Sequence, residues 1–65
     1  MNWDQIAGNW KQIKGKVRQQ WGDFTDDEID IIEGKREELV GRLQAKYGYT
    51  KEVAEQEADN WMRTL

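Results

Sequence analysis

Two pairs of carboxylates stand at a spacing that could do chemistry. Asp26 and Asp30, and Glu55 and Asp59, are four residues apart, which puts each pair on one face of a helix. A general acid–base pair also needs a cleft that drives the two pKa values apart. A chain of 65 residues has little volume for one, so the simpler reading is a solvated acidic face. The chain has no His, no Cys and no Ser. That removes Ser–His and Cys–His nucleophiles, imidazole and thiolate metal ligands, and any disulfide. The hydroxyls of Thr25 and Thr50 are better used as helix caps. The expectation is a protein that is not an enzyme, with no cofactor and no small-molecule substrate.

Binding chemistry is the next class. Residues 23–33 carry six acids, Asp23, Asp26, Asp27, Glu28, Asp30 and Glu33. They do not follow the alternation and glycine of a calcium loop, and helix capping accounts for most of them, so no metal site is expected. Lys11, Lys14 and Arg18 lie along one flank of the first helical segment, and Lys35, Arg42 and Lys46 along one flank of a later one. Side by side, the two flanks would make a basic strip able to meet phosphates or a protein partner. An isoelectric point near 4.8 and a net charge of −3 argue against nucleic acid. Local ion pairs such as Glu38 with Arg42 are the plainer reading.

Gly8 and Gly15 form the second candidate surface. With Gly22 they recur every seven residues, opposite the apolar stripe, where a partner helix could approach closely. The partner itself cannot be read from the sequence, and the expected state is a monomer or a weak homodimer. The first segment is also amphipathic, rich in Trp and locally basic, as an interfacial helix would be. Its Trp stripe is the only large apolar face from which to build a core, so core is preferred and no membrane role is expected.

These residues need a scaffold. Sixty-five residues make one domain, 1–65, which buries only about 60% of its unfolded surface. A mean hydropathy of −1.06 with 35% charged residues leans toward disorder, but four Trp, two Tyr and one Phe argue against it. With no apolar run of signal-peptide or membrane-spanning type, a cytoplasmic location is expected.

The spacing of Trp3, Ile6, Trp10, Ile13, Val17 and Trp21 predicts one continuous helix, stopped at Gly22. Thr25 and Glu28 form a capping box, and Phe24 with Ile29 a hydrophobic staple. Helix then runs from Asp26 to Tyr47 with Ile29, Ile32, Leu39, Val40, Leu43 and Tyr47 on one face. Arg36 interrupts this stripe, Ile31 points away from it, and Gly34 lies between them. A break or kink near Gly34 is favoured over one unbroken helix. Gly48 is a stop and Thr50 the next cap. Ala54, Ala58, Trp61 and Leu65 make the last buried stripe, with Val53 at its edge and Asp59–Arg63 as an ion pair. The segment Trp21-Gly22-Asp23-Phe24-Thr25 is echoed by Tyr47-Gly48-Tyr49-Thr50. The expected fold is all-α, a small bundle of two orthogonally packed helical hairpins with about four helices.

The segment Gly8-Asn9-Trp10-Lys11-Gln12-Ile13-Lys14-Gly15-Lys16-Val17, then Trp21-Gly22 and Thr25-Asp26-Asp27, resembles the CsbD-like family of small bacterial stress proteins. Ile32-Glu33-Gly34-Lys35-Arg36, Leu39-Val40-Gly41 and Tyr47-Gly48-Tyr49 continue the resemblance, which runs from about residue 2 to residue 62. The resemblance implies two orthogonal hairpins, similar to the sterile-alpha-motif arrangement. It implies a cytoplasmic protein that accumulates under general stress or in stationary phase. It implies no catalytic activity and carries no site residues. The function expected is non-catalytic, by binding or by bulk protection of other proteins. The alternative is a regulatory module that uses the basic strip.

Overall fold

A computed structural model describes residues 1–65 and contains five helices. They are α1 (Trp3–Gly8), α2 (Trp10–Gln20), α3 (Asp26–Ile32), α4 (Arg36–Tyr47) and α5 (Lys51–Arg63). α2–α3 and α4–α5 are the two helical hairpins, and α1 is a short fifth helix ahead of them. Consecutive helices pack on one another, α4 against α5 most extensively. No helix is long and apolar enough to cross a membrane.

The caps follow the local sequence closely. Thr25 Oγ1 accepts from Glu28 N–H at 3.1 Å, and Glu28 Oε1 accepts from Thr25 N–H at 3.1 Å. This reciprocal pair satisfies two of the N–H groups that every helix start leaves without a partner. Thr50 caps α5 by accepting from Val53 N–H at 3.2 Å. Gly48 ends α4 in the left-handed region, with φ 70°. Phe24 and Ile29 of the staple are both buried.

The first segment departs from expectation in two ways. It is not one helix, because the run breaks at Asn9, with φ −112° and ψ 20°. There the Asn9 side-chain amide donates to Gln5 O at 3.1 Å, alongside the Asn9 backbone N–H at 3.0 Å. Asn competes in this way for nearby carbonyls and so loosens a helix interior. Nor is Gly22 the stop: α2 ends at Gln20, and Trp21 leaves the helix with φ −132° and ψ 89°. That turn sends the Trp21 ring into the interior, where it meets Trp61 and Phe24.

The break near Gly34 is present, and α3 and α4 are separate helices. Glu33 and Gly34 both take positive φ, 52° and 76°. Gly34 is also buried, and a Cβ added to it would lie 2.6 Å from Ala7 Cα and 2.8 Å from Ala7 N. The joint therefore seats the backbone of α1, and only glycine leaves room for it.

The core is wholly apolar. Its fourteen buried side chains come from all five helices and the 21–24 link. Every residue of the first stripe from Ile6 to Trp21 is in it, and Trp3 packs against it half-buried. Six rings form a continuous chain: Trp3–Trp61 at 6.2 Å, Trp61–Trp21 at 5.4 Å, Trp21–Phe24 at 6.2 Å, Phe24–Tyr47 at 6.3 Å and Tyr47–Tyr49 at 5.5 Å. Tilted, edge-on and stacked pairs of this kind add to the gain from burial. The two echoed segments thus meet in space, through Phe24 and Tyr47. Ile31 and Val53 remain exposed.

Trp10 has a second role. Its Nε1–H donates to Ile29 O at 2.8 Å in the interior. α3 ends at Ile32, and Glu33 N–H does not return to that carbonyl. The indole from α2 supplies the missing donor, and so caps the end of α3.

Candidate functional site

The geometry gathers the charged residues into three clusters, each spanning a joint between helices. The first joins α2 to α3, where Lys14 pairs with Asp30 and Arg18 with Asp26. The second joins α3 to α4. Lys46 Nζ lies 2.7 Å from Glu28 Oε1, Arg42 Nη1 lies 3.8 Å from Glu28 Oε2, and Arg42 also reaches Glu38 at 4.0 Å. The third joins α4 to α5. Arg36 Nε donates to Asp59 Oδ1 at 2.9 Å, and Arg36 Nη2 donates to Asp59 Oδ2 at 3.0 Å and Glu55 Oε2 at 3.1 Å.

Glu28 serves two purposes, as capping-box partner of Thr25 and as anchor for two cations of α4. The Lys46 hydrogen bond, then the Thr25 N–H, hold its carboxyl below the usual carboxylate range. Asp59 is lowered in the same way, mainly by the Arg36 hydrogen bonds and against a smaller desolvation effect. Arg36 is raised further above its already high value by Asp59 and then Glu55. The two-pronged contact with Asp59 suits a planar guanidinium and would not be reproduced by Lys.

The basic strip takes a different form from the one the sequence suggests. α3 packs against both α2 and α4, and its acids take up Lys14 and Arg18 from one side and Arg42 and Lys46 from the other. Lys11 and Lys35 are the two members with no acid within ion-pair distance. Of the acids of residues 23–33, Asp26, Glu28 and Asp30 are spread over these contacts, and no three carboxylates converge as they would on a metal ion. Both carboxylate pairs are likewise taken up by cations, Asp26 and Asp30 by Arg18 and Lys14, and Glu55 and Asp59 by Arg36. Asp59 faces Arg36 rather than Arg63, whose guanidinium donates to Asn60 at 3.2 Å.

Gly8 and Gly15 lie on open surface, and a Cβ on either would meet nothing within 4 Å. The break at Asn9 places them in different helices. Two shallow depressions flank Arg36. One of about 410 Å³ lies between α1 and the start of α4, beside Trp3, Gly34 and Lys35. The other, about 390 Å³, lies between α4 and α5, beside Val40, Gly41 and Lys51. Neither brings a nucleophile to a base.

The sequence marks Arg36 as an interruption of the apolar stripe and Gly34 as a break, but not what either residue contacts. Arg36 was visible as a charge within an apolar stripe, and the Glu55/Asp59 pair as its complement, because an α4–α5 hairpin must bring these faces together. The seating of α1 on Gly34 has no local signal, since the contact comes from a residue 27 positions away.

Comparison with known proteins fits this frame. The family model described as CsbD-like matches residues 4–56. The UPF0337 protein YjbJ of Escherichia coli (strain K12) is 59% identical over 61 residues, 94% of this chain and 88% of that protein. A UPF0337 protein of Pectobacterium atrosepticum is 61% identical over the same shares. Another, from Rhodopseudomonas palustris, is 49% identical over 65 residues, all of this chain and 98% of its own.

Proposed function

The chain belongs to the CsbD-like family of general-stress proteins, and from that premise we propose that it protects other proteins without catalysing a reaction. Its working part is a compact, heavily charged exterior that stays solvated at high concentration. One observation carries the reading: the charged groups that hold defined geometry hold one another across helix joints, over a core of apolar side chains alone. What faces outward is a mixed-sign, water-binding surface with a net charge of −3, suited to solubility and weak contact rather than to one tight ligand. The protein acts in the cytoplasm, as bulk solute and loose contact surface, when water is scarce or clients begin to unfold.

A client enzyme dried or heated with this protein in excess keeps more activity than with an equal mass of an inert globular control. Equal client loss in the two mixtures rejects the reading. The double variant Lys11→Glu/Lys35→Glu removes the two strip cations that lack an ion partner. Protection unchanged in that variant supports a bulk effect. Protection abolished with the fold intact would instead favour a regulatory module acting through a basic contact.

A further inference from the structure

The break at Asn9 sets local preference against tertiary packing. Apolar residues continue across it at helical spacing, Trp3, Ile6, Trp10, Ile13 and Val17. No Pro stands in the chain, and Asn9 alone leaves the helical dihedrals, with φ −112° and ψ 20°. α2 begins there without a side-chain cap. At the break Gln12 N–H turns to Asn9 O at 2.9 Å, whereas in a continuous helix it would donate to Gly8 O. Against this, the bend seats Ile6 in the core, lays Ala7 against Gly34 and brings Trp3 to Trp61. One molecule cannot keep both sets of contacts. If α1 straightens onto α2 it leaves its own Gly34 seat.

Two molecules can keep both. We propose that this chain exchanges α1 with a second copy of itself, with Asn9 as the hinge. In the exchanged dimer, residues 3–20 of each chain form one helix of about 27 Å, and each α1 fills the partner's Gly34 seat. The contacts at the seat are those of the monomer, so the exchange costs little beyond association itself, and each chain gains an unbroken helix across residue 9. Since a tethered α1 competes at an effective concentration of about millimolar, the monomer dominates in dilute solution and the dimer grows as the protein accumulates. The Gly8 and Gly15 surface takes no part.

The test is complementation followed by sedimentation. Ile6→Asp gives a chain whose α1 cannot enter a seat, and Gly34→Ala one whose seat cannot receive α1. Each alone stays monomeric and loses the packing of Trp3 on Trp61, read by near-UV circular dichroism. Mixed at high concentration, they form one wild-type seat per pair. A heterodimer with part of the Trp signal restored is expected, and a mixture that stays monomeric overturns the proposal. Asn9→Ala removes the side-chain bond to Gln5 O and favours the straight helix, so it should strengthen dimerisation of the otherwise unaltered chain about tenfold. An unchanged or weakened dimer contradicts the hinge. Gly15→Gln leaves dimerisation unchanged, whereas its loss would assign the dimer to the glycine surface instead.

Discussion

Gly34 and Gly48 both take left-handed backbone at the end of a helix, yet they serve different ends. Gly48 has open space around it and acts by conformation alone. Gly34 is buried and carries the backbone of α1 within a distance that no Cβ tolerates. The first is a local stop, readable three residues either side. The second is a tertiary seat, and its apparent role as a stop hides the larger one. Positions of identical dihedral sign can therefore differ several-fold in cost when they are changed.

Gly34→Ala tests this difference most severely. It adds backbone strain to direct overlap with Ala7, a cost of about 3 kcal/mol, much of what a domain of this size possesses. A fall in Tm of roughly 10–20 °C is expected, and a fall no larger than that of Gly48→Ala would remove the distinction. Trp10→Phe keeps the ring but withdraws the donor from Ile29 O inside the core. Urea unfolding should show a loss of about 1–2 kcal/mol, and exchange of the last α3 amides should quicken. Gly48→Ala carries only the left-handed penalty, about 1 kcal/mol. Gly15→Ala has the opposite sign: a helical glycine with room for a methyl group should gain about 0.5–1 kcal/mol. A loss there would reveal a close neighbour at that surface.

Acid produces the smallest effect. Asp59 and Glu28 titrate below the ordinary carboxylate range because Arg36, and Lys46 with Thr25, hold the charged forms. A carboxylate whose folded pKa is lowered adds stability that is fully present above its unfolded pKa, near 4, and is lost as pH falls through the folded value. Tm should be level from pH 7 to about 5 and decline below 4. These pairs are partly solvated, so the decline is modest and the Arg36 contact contributes about 1 kcal/mol or less. Arg36→Met removes most of the Asp59 part of the decline while leaving the part due to Glu28.

The sequence disclosed what is local. Thr25 with Glu28, Phe24 with Ile29, Gly48 and Thr50 each announce a helix boundary through residues no more than five apart, and the structure places all of them as read. The stripes of α4 and α5 were nearly as plain, because burial follows helical period, although Tyr47 and Leu65 are only partly buried and Leu65 lies past the end of α5. Asn9 was not, because the spacing of Trp3, Ile6 and Trp10 suits a straight helix, and the bend comes from the Asn9 side chain together with the seat on Gly34. Partners in ionic contacts were the least legible. The basic flanks of α2 and α4 could be read as one free strip until α3 was seen between them. Asp59 had Arg63 at the right helical interval, yet Arg36 offered a two-pronged contact across the hairpin.

The account rests on the indoles and the paired charges being consumed in holding five short helices together. Hydrogen exchange at the Trp10 indole, followed by NMR in the folded monomer, examines this most directly. Bound to Ile29 O in the interior, that proton should exchange about a hundredfold or more slowly than in a free indole, and only through global unfolding. Exchange at the free rate, with the chain still folded, would show the Trp10 face open to water and contradict the account.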